Sequence, residues 1–161
     1  MIVSAPVPIA DHHDRDRFDS GRPLLDDWLR RRALANQASG ATRTFVATTN
    51  DRVVGYYALA AGAVKTPEAP GRFRRNMPDP IPVVVLARLA VDRSVQGSGV
   101  GRALVRDAVL RTLGAADVIG IRGLLVHALD EEARGFYARL GFDASPLDPM
   151  TLMIRLADAG A

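Results

Sequence analysis

Three glycines in the segment Gln96–Gly101 carry the strongest chemical signal in the sequence. A nearly continuous apolar run, Val83–Val91, precedes them and is typical of a central strand covered on both faces. From Val100 onward apolar residues recur at helical spacing. Glycines between a strand and a helix permit a tight turn whose backbone N–H groups point into one concavity, and the helix dipole adds its positive end there. The pattern predicts a diphosphate-binding loop, with Arg93, Gln96 and Arg102 as side-chain donors around it.

Other glycine motifs do not fit this loop. A Walker A motif requires Gly-Lys-Ser/Thr, which is absent, and a dinucleotide fingerprint requires a third glycine where Arg102 stands. The remaining alternative is a structural turn that needs glycine only for its positive φ angles. The triplet by itself leaves that alternative open.

The elements that must position the loop follow from periodicity and turn residues. Candidate strands are Ile2–Ile9, Thr44–Thr48, Val53–Ala61, Val83–Val91, Gly123–Ala128 and Thr151–Leu156. The first candidate helix begins at Pro23, with Ser20 as its cap and Gly40 beyond its end. A second extends from Val100 to Gly114, and a third from Glu131 to Leu140, where Gly141 closes it. Four prolines make Lys65–Ile81 mostly loop. We expect one α/β domain over residues 1–161.

Composition narrows the class of protein. The chain has no cysteine, which excludes disulfides, thiolate nucleophiles and cysteine-based zinc sites. No apolar stretch reaches the ~20 residues of a spanning helix, and no secretory signal is recognisable, so we expect a cytoplasmic protein without a membrane segment. The net charge is +3, with 20 arginines and one lysine. The pair His12 and His13 lacks a partner cluster, and we expect no metal.

The residues around the glycine loop resemble the acetyl-CoA motif of the GNAT acetyltransferase superfamily, and Phe136-Tyr137 and Gly141-Phe142 resemble its later motif. The resemblance implies the GNAT fold: an α/β (α+β) architecture with a central mixed sheet, a parallel strand pair that splays near Leu89–Val91, and helices on both faces. It implies acetyl-CoA as co-substrate. The implied cofactor-binding residues are Leu89, Ala90, Val91, Arg93, Gln96, Gly97, Ser98, Gly99, Val100, Gly101 and Arg102.

Further segments resemble the bacterial toxin acetyltransferases of the TacT and AtaT type, which acetylate the amino group of aminoacyl-tRNA. They include Leu24–Leu29, Arg43–Val46 and Arg74–Pro82. This resemblance implies inhibition of translation, a ribbon-helix-helix antitoxin encoded next to the toxin, and a homodimer. Phosphate contacts with tRNA are expected from Lys65, Arg72, Arg74 and Arg75. For the cluster Arg30–Arg32, phosphate contact and a solvated helix face are both open.

The resemblance also implies an acid at the thioester. Tyr137 is the candidate, because a phenol with a reference pKa near ~10 is protonated at neutral pH and can donate to the departing sulfur. Backbone N–H groups around Leu89 could stabilise the oxyanion. No general base is evident, and His127 is expected to be a core histidine. An α-amine on an ester needs little help to lose its proton, which agrees with an aminoacyl-tRNA acceptor.

Two alternatives to tRNA acetylation stay open at this point. One is acetylation of a protein N-terminus or of a small amine such as an antibiotic. The other is a non-catalytic co-repressor acting with a DNA-binding antitoxin. An intact glycine loop and Tyr137 argue against the co-repressor, and the arginine clusters argue against a small amine.

Overall fold

A computed structural model describes residues 2–159 of the chain and contains seven strands and six α-helices in that range. The strands are β1 (Val7–Pro8), β2 (Arg43–Thr49), β3 (Arg52–Val64), β4 (Ile81–Val91), β5 (Gly123–His127), β6 (Asp143–Ala144) and β7 (Thr151–Arg155). The helices are α1 (Pro23–Arg31), α2 (Ala33–Ser39), α3 (Gly71–Arg74), α4 (Val100–Ala116), α5 (Glu131–Arg139) and α6 (Leu156–Ala159).

The strands form one mixed sheet in the order β1-β2-β3-β4-β5-β7-β6. Strands β4 and β5 are the parallel pair, with Val83 opposite Gly123 and Leu86 opposite Val126. Antiparallel pairing joins β1 to β2, β2 to β3, β5 to β7 and β6 to β7. A hairpin turn joins β2 to β3 at Asn50 and Asp51, whose positive φ angles of 51° and 64° match the twist of the flanking strands.

Three sequence-based boundaries are wrong. The helix expected to begin at Pro23 is two helices, α1 and α2, separated at Arg32, where φ is −121°. Ser20 does not cap α1, because Pro23 fixes the first helical position and Arg22 occupies the capping position, where it makes no side-chain capping bond. The first strand is only Val7–Pro8, since the prolines of this segment cannot donate to a ladder.

Smaller elements were also missed. Helix α4 continues two residues beyond Gly114, strand β6 was not expected, and Leu156 begins α6 rather than ending β7. Gly40 and Gly141 follow helices α2 and α5 with φ angles of 82° and 100°, as their sequence positions predict.

The contacts of the chain group into two compact units, and β3 and β4 each contribute residues to both. Unit 1 comprises residues 1–60 and 87–108, and unit 2 comprises residues 61–86 and 109–161. The unit 1 core packs α1 and α2 on β2 and β3, with Phe18, Leu29 and Tyr56 fully buried. The Tyr56 hydroxyl donates to the carbonyl oxygen of Leu25 at 2.6 Å, which ties α1 to β3.

The unit 2 core packs α3 against the sheet. Phe73 of α3 is buried with Ile81, Leu125 and Met153. A Cβ on Gly123 would lie 2.0 Å from the carbonyl oxygen of Ile154, so only glycine allows this approach of β5 to β7. No helix among residues 2–159 is long and apolar enough to cross a membrane.

Candidate functional site

The glycine loop lies where the sequence places it, between β4 and α4. Gly97 and Gly99 have φ angles of 79° and 89°, while Gly101 lies inside α4, which begins at Val100. A Cβ on Gly97 or Gly99 would meet nothing within 4 Å. Backbone conformation, and not crowding, therefore requires glycine at these two positions. Residues 96–99 are exposed, so a ligand can reach the loop and the first turn of the helix.

Helix α4 begins close to β3. A Cβ on Gly55 would lie 3.2 Å from side-chain atoms of both Leu104 and Val100. Glycine in β3 therefore lets the first turns of α4 approach the strand closely. This packing fixes where the positive end of the helix dipole points.

Asp92 stabilises the segment that joins β4 to the glycine loop. Its carboxylate is almost fully buried and accepts hydrogen bonds from the Asp19 N–H at 2.8 Å, the Ser94 N–H at 3.0 Å and the Ser94 hydroxyl at 2.6 Å. Burial alone would raise the pKa of Asp92. The hydrogen bonds from Ser94 and Asp19, together with the Arg52 guanidinium, lower that pKa instead. A buried carboxylate thus remains ionised and fixes the start of the loop.

Gln96 has a bracing role that the sequence did not reveal. Its side-chain amide donates to the carbonyl oxygens of Ser20 at 2.9 Å and Val91 at 2.8 Å. Ser20 is held in turn by Asp26 of α1, whose carboxylate accepts from the Ser20 hydroxyl at 2.6 Å. Both amide hydrogens of Gln96 are therefore used within unit 1, and the side chain is not a spare phosphate donor as its sequence position suggested.

The two arginines beside the loop differ in their partners. Arg93 forms an exposed ion pair with Asp19 at 3.3 Å. Arg102 is exposed in the first turn of α4, and no residue in the range 2–159 pairs with its guanidinium. The Ser98 hydroxyl donates to the Val95 carbonyl oxygen and so closes the loop on itself. Arg102 is the side chain of this group that is free to meet an anion.

The stretch Leu89–Val91 forms the end of β4. Ala90 is buried in the unit 1 core, whereas Leu89 and Val91 are half-buried. The register that joins β4 to β5 ends at Leu86 and Val126, although β4 continues five residues further to Val91. Residues 87–91 of β4 therefore lie outside the register in which β4 pairs with β5.

Tyr137 lies on α5 in unit 2. Its ring is 5 % exposed and packs edge-on against Phe136 and Phe142, with centroid distances of 5.1 and 5.5 Å. Within residues 2–159 its hydroxyl makes no hydrogen bond. Burial raises the pKa of Tyr137 well above its ordinary value, so the phenol keeps its proton throughout the neutral range. Asp130 caps α5 by accepting from the Ala133 N–H at 2.9 Å.

The four basic residues of the proline-rich segment are not equivalent. Arg72 lies 3.8 Å from Asp143 and 3.9 Å from Asp158, so two carboxylates offset its charge. Lys65, Arg74 and Arg75 are exposed and form no ion pair among the described residues. Arg122 donates to the carbonyl oxygens of Phe73 and Arg72 at 2.9 and 3.1 Å and thereby holds the backbone of α3, which carries Arg74. Arg30, in the cluster Arg30–Arg32, donates to the Phe18 carbonyl oxygen at 2.8 Å.

His127 is not the core histidine that its apolar surroundings in the sequence suggested. It ends β5 and is exposed. Its Nδ1 lies 2.9 Å from the Thr151 hydroxyl, which donates to Asp148 at 2.8 Å. No group of three or more histidine, aspartate or glutamate residues in the described range 2–159 could hold a metal ion.

Comparison with known proteins identifies relatives over nearly the whole chain. Residues 40–144 match the acetyltransferase (GNAT) domain family. A tRNA-acetylating toxin of Mycobacterium tuberculosis is 56% identical over 158 residues, which cover 98% of this chain and 95% of that protein. A probable toxin TacT of Sinorhizobium fredii is 29% identical, over 91% of this chain and 87% of that protein.

Three solved structures are similar over nearly the whole chain. AtaT complexed with acetyl-methionyl-tRNAfMet matches with a TM-score of 0.90 and 29% identity, covering 99% of this chain and 98% of that one. A tyrosine-to-phenylalanine mutant of KacT matches at 0.91 and 29%, covering 98% and 97%. A tyrosine-to-phenylalanine mutant of AtaT, bound to the C-terminus of the antitoxin AtaR and acetyl-CoA, matches at 0.83 and 29%, covering 98% and 95%.

Proposed function

The chain belongs to the GNAT acetyltransferase family, and from that premise we propose that it transfers acetyl from acetyl-CoA to the α-amino group of aminoacyl-tRNA and so inhibits translation. The observation that carries the proposal is the 56% identity with a tRNA-acetylating toxin over 98% of the chain. The complex of AtaT with acetyl-methionyl-tRNAfMet adds support, because its fold matches with a TM-score of 0.90.

The glycine loop holds the pyrophosphate of acetyl-CoA in this proposal. The backbone N–H groups of residues 96–101 and the start of α4 supply donors and positive potential. Arg102 adds a free guanidinium, and Arg93 a second one once it exchanges Asp19 for phosphate. Gln96 acts through its backbone N–H, since its side chain braces Ser20 and Val91. The backbone of Leu89, Ala90 and Val91 holds the thioester arm.

Tyr137 is the acid of the proposed reaction. The attacking amine forms a bond to the acetyl carbon, the C–S bond breaks, and the Tyr137 hydroxyl gives its proton to the thiolate. Its buried ring and unused hydroxyl support this role, because the phenol is protonated and its hydroxyl is not engaged by another residue in the range 2–159.

Arg74 and Arg75 are the proposed contacts with tRNA phosphates, with Lys65 as a third. Their free, exposed charges and the bracing of α3 by Arg122 support them. Arg72 is a fourth candidate, which would have to exchange Asp143 and Asp158 for phosphate just as Arg93 exchanges Asp19.

The proposed partners follow from the same relatives. The chain acts as a single domain, forms a homodimer in the cytoplasm, and binds an antitoxin of the ribbon-helix-helix type. The complex of AtaT with the C-terminus of AtaR supports an antitoxin that binds the toxin directly. Co-purification with the product of the neighbouring gene, followed by light scattering of the free chain, tests these partners.

A product analysis tests the proposed reaction. Purified protein is incubated with acetyl-CoA and total charged tRNA, the aminoacyl esters are released by mild base, and the amino acids are examined by mass spectrometry. An added acetyl group on the α-amine of one or more amino acids supports the proposal. Acetyl-CoA that remains unconsumed with every charged tRNA would contradict it.

A further inference from the structure

The Thr151 hydroxyl fixes the tautomer of His127. A threonine hydroxyl carries one hydrogen, and Thr151 uses it to donate to Asp148 at 2.8 Å. The 2.9 Å contact between Thr151 and His127 Nδ1 must then be a hydrogen bond that the imidazole donates. His127 Nδ1 therefore carries the proton, and Nε2 presents its lone pair. Because His127 is exposed, that lone pair can meet a ligand.

Asp148 completes a relay to the imidazole. It also accepts from the Met150 N–H at 3.0 Å, and that hydrogen bond, with the one from Thr151, lowers the pKa of the exposed carboxyl. The Asp148 carboxylate accepts from the Thr151 hydroxyl, and that hydroxyl in turn orients the imidazole of His127. This is the arrangement of a base held in one tautomer by an oriented partner.

The position of His127 in the sheet supports a role in chemistry. His127 follows Val126, the last residue of β5 that pairs with the parallel strand β4. Ligands of open α/β sheets bind outside the carboxyl ends of parallel strands. Four residues after His127 the chain enters α5, which carries Tyr137. The same end of β5 thus supplies both an exposed base and the helix of the proposed acid.

We propose that His127 is the proton acceptor of the acetyl transfer, with Thr151 and Asp148 as its positioning residues. The inference rests on the proposed function. An α-amine attacks in its neutral form, and the nitrogen bonded to the acetyl carbon then carries a positive charge. His127 Nε2 takes that proton while the C–S bond breaks and Tyr137 protonates the sulfur. Solvent returns the proton from the imidazolium to the tyrosinate, so atoms and charges balance.

Variants of His127 test the inference in single-turnover acetylation of charged tRNA. His127→Asn retains a donor toward Thr151 but has no basic nitrogen, and we expect its rate to fall about 10²-fold while acetyl-CoA affinity is unchanged. His127→Gln is the second variant should the first fold poorly. His12→Asn, at an exposed histidine in unit 1, is the matched control and should keep the wild-type rate.

Variants of Thr151 test the relay separately. Thr151→Val keeps the shape and removes the hydroxyl, so we expect a smaller loss of rate with the thermal midpoint nearly retained, and Thr151→Ser should restore the rate. A wild-type rate in His127→Asn would overturn the inference, as would a loss confined to KM for the acceptor. These ratios to wild type are independent of the acceptor: if the wild-type protein acetylates another amine instead of charged tRNA, the proposed function fails, and the same ratios measured with that amine still decide the role of His127.

Discussion

The side-chain amide of Gln96 donates to the carbonyl oxygen of Ser20 at 2.9 Å, across 76 residues of sequence. This bond, with a second to Val91, holds the glycine loop against the turn that precedes α1. We predict that Gln96→Met lowers the unfolding free energy by about 1 to 2 kcal/mol, because two hydrogen bonds are lost. Because the loop loosens, acetyl-CoA binding measured by calorimetry should weaken as well.

A second glutamine provides the control for that variant. Gln37 accepts a hydrogen bond from the Thr44 N–H at 2.8 Å, away from the loop. Gln37→Met should also lower stability, but it should leave acetyl-CoA affinity unchanged. Equal cofactor affinity in the Gln96 variant and the wild type would show that the brace is unimportant for the loop.

Gly99 should be sensitive because of its backbone conformation. In Gly99→Val a β-branched residue must adopt a φ near 89°, which costs about 1 to 3 kcal/mol or forces the loop to rearrange. We expect a folded protein that no longer binds acetyl-CoA. Gly114→Ala is the matched control: it lies in α4, its new Cβ meets nothing, and stability should rise by up to about 1 kcal/mol. Normal acetyl-CoA binding by Gly99→Val would show that the glycine loop is not part of the cofactor site.

Tyr137→Phe should lower the acetylation rate without lowering the stability of the fold. The hydroxyl makes no hydrogen bond within residues 2–159, so its removal should leave the thermal midpoint and acetyl-CoA affinity nearly unchanged. Loss of a general acid typically lowers the rate ~10²- to 10⁴-fold. Tyr56→Phe should behave in the opposite way, because it loses the buried bond to Leu25 and should reduce stability but not turnover per folded molecule. Wild-type single-turnover rates in Tyr137→Phe would exclude Tyr137 as the acid.

The sequence predicted the order of the main elements and the position of the glycine loop, because periodicity and glycines are local signals. It did not predict the break at Arg32, where neither proline nor glycine marks a helix end. It also misplaced His127 in the core, since an apolar strand looks the same whether its last residue is covered or exposed. The bracing by Gln96 joins residues far apart in sequence, and no local pattern encodes such a contact.

Salt dependence should distinguish the basic residues of the proline-rich segment. If Arg74 and Arg75 contact phosphates, their replacement by alanine should weaken tRNA binding and make its log-log salt slope shallower by up to about two units. Acetyl-CoA binding should not change. The control variant replaces Arg15 and Arg17 by alanine. It has the same net charge as the first double variant, but its changes lie in unit 1. If both double variants change tRNA binding equally, net charge and not a specific contact would explain the effect.

The choice of acceptor is the most direct test of the proposed function. Labelled acetyl-CoA and the purified protein are offered charged tRNA, uncharged tRNA, peptides with free N-termini and small amines in parallel, and initial rates of label transfer are compared. We predict transfer to charged tRNA, with the label released together with the amino acid by mild base, and no transfer to uncharged tRNA. Efficient labelling of peptides or small amines, with none in the aminoacyl group, would contradict the account.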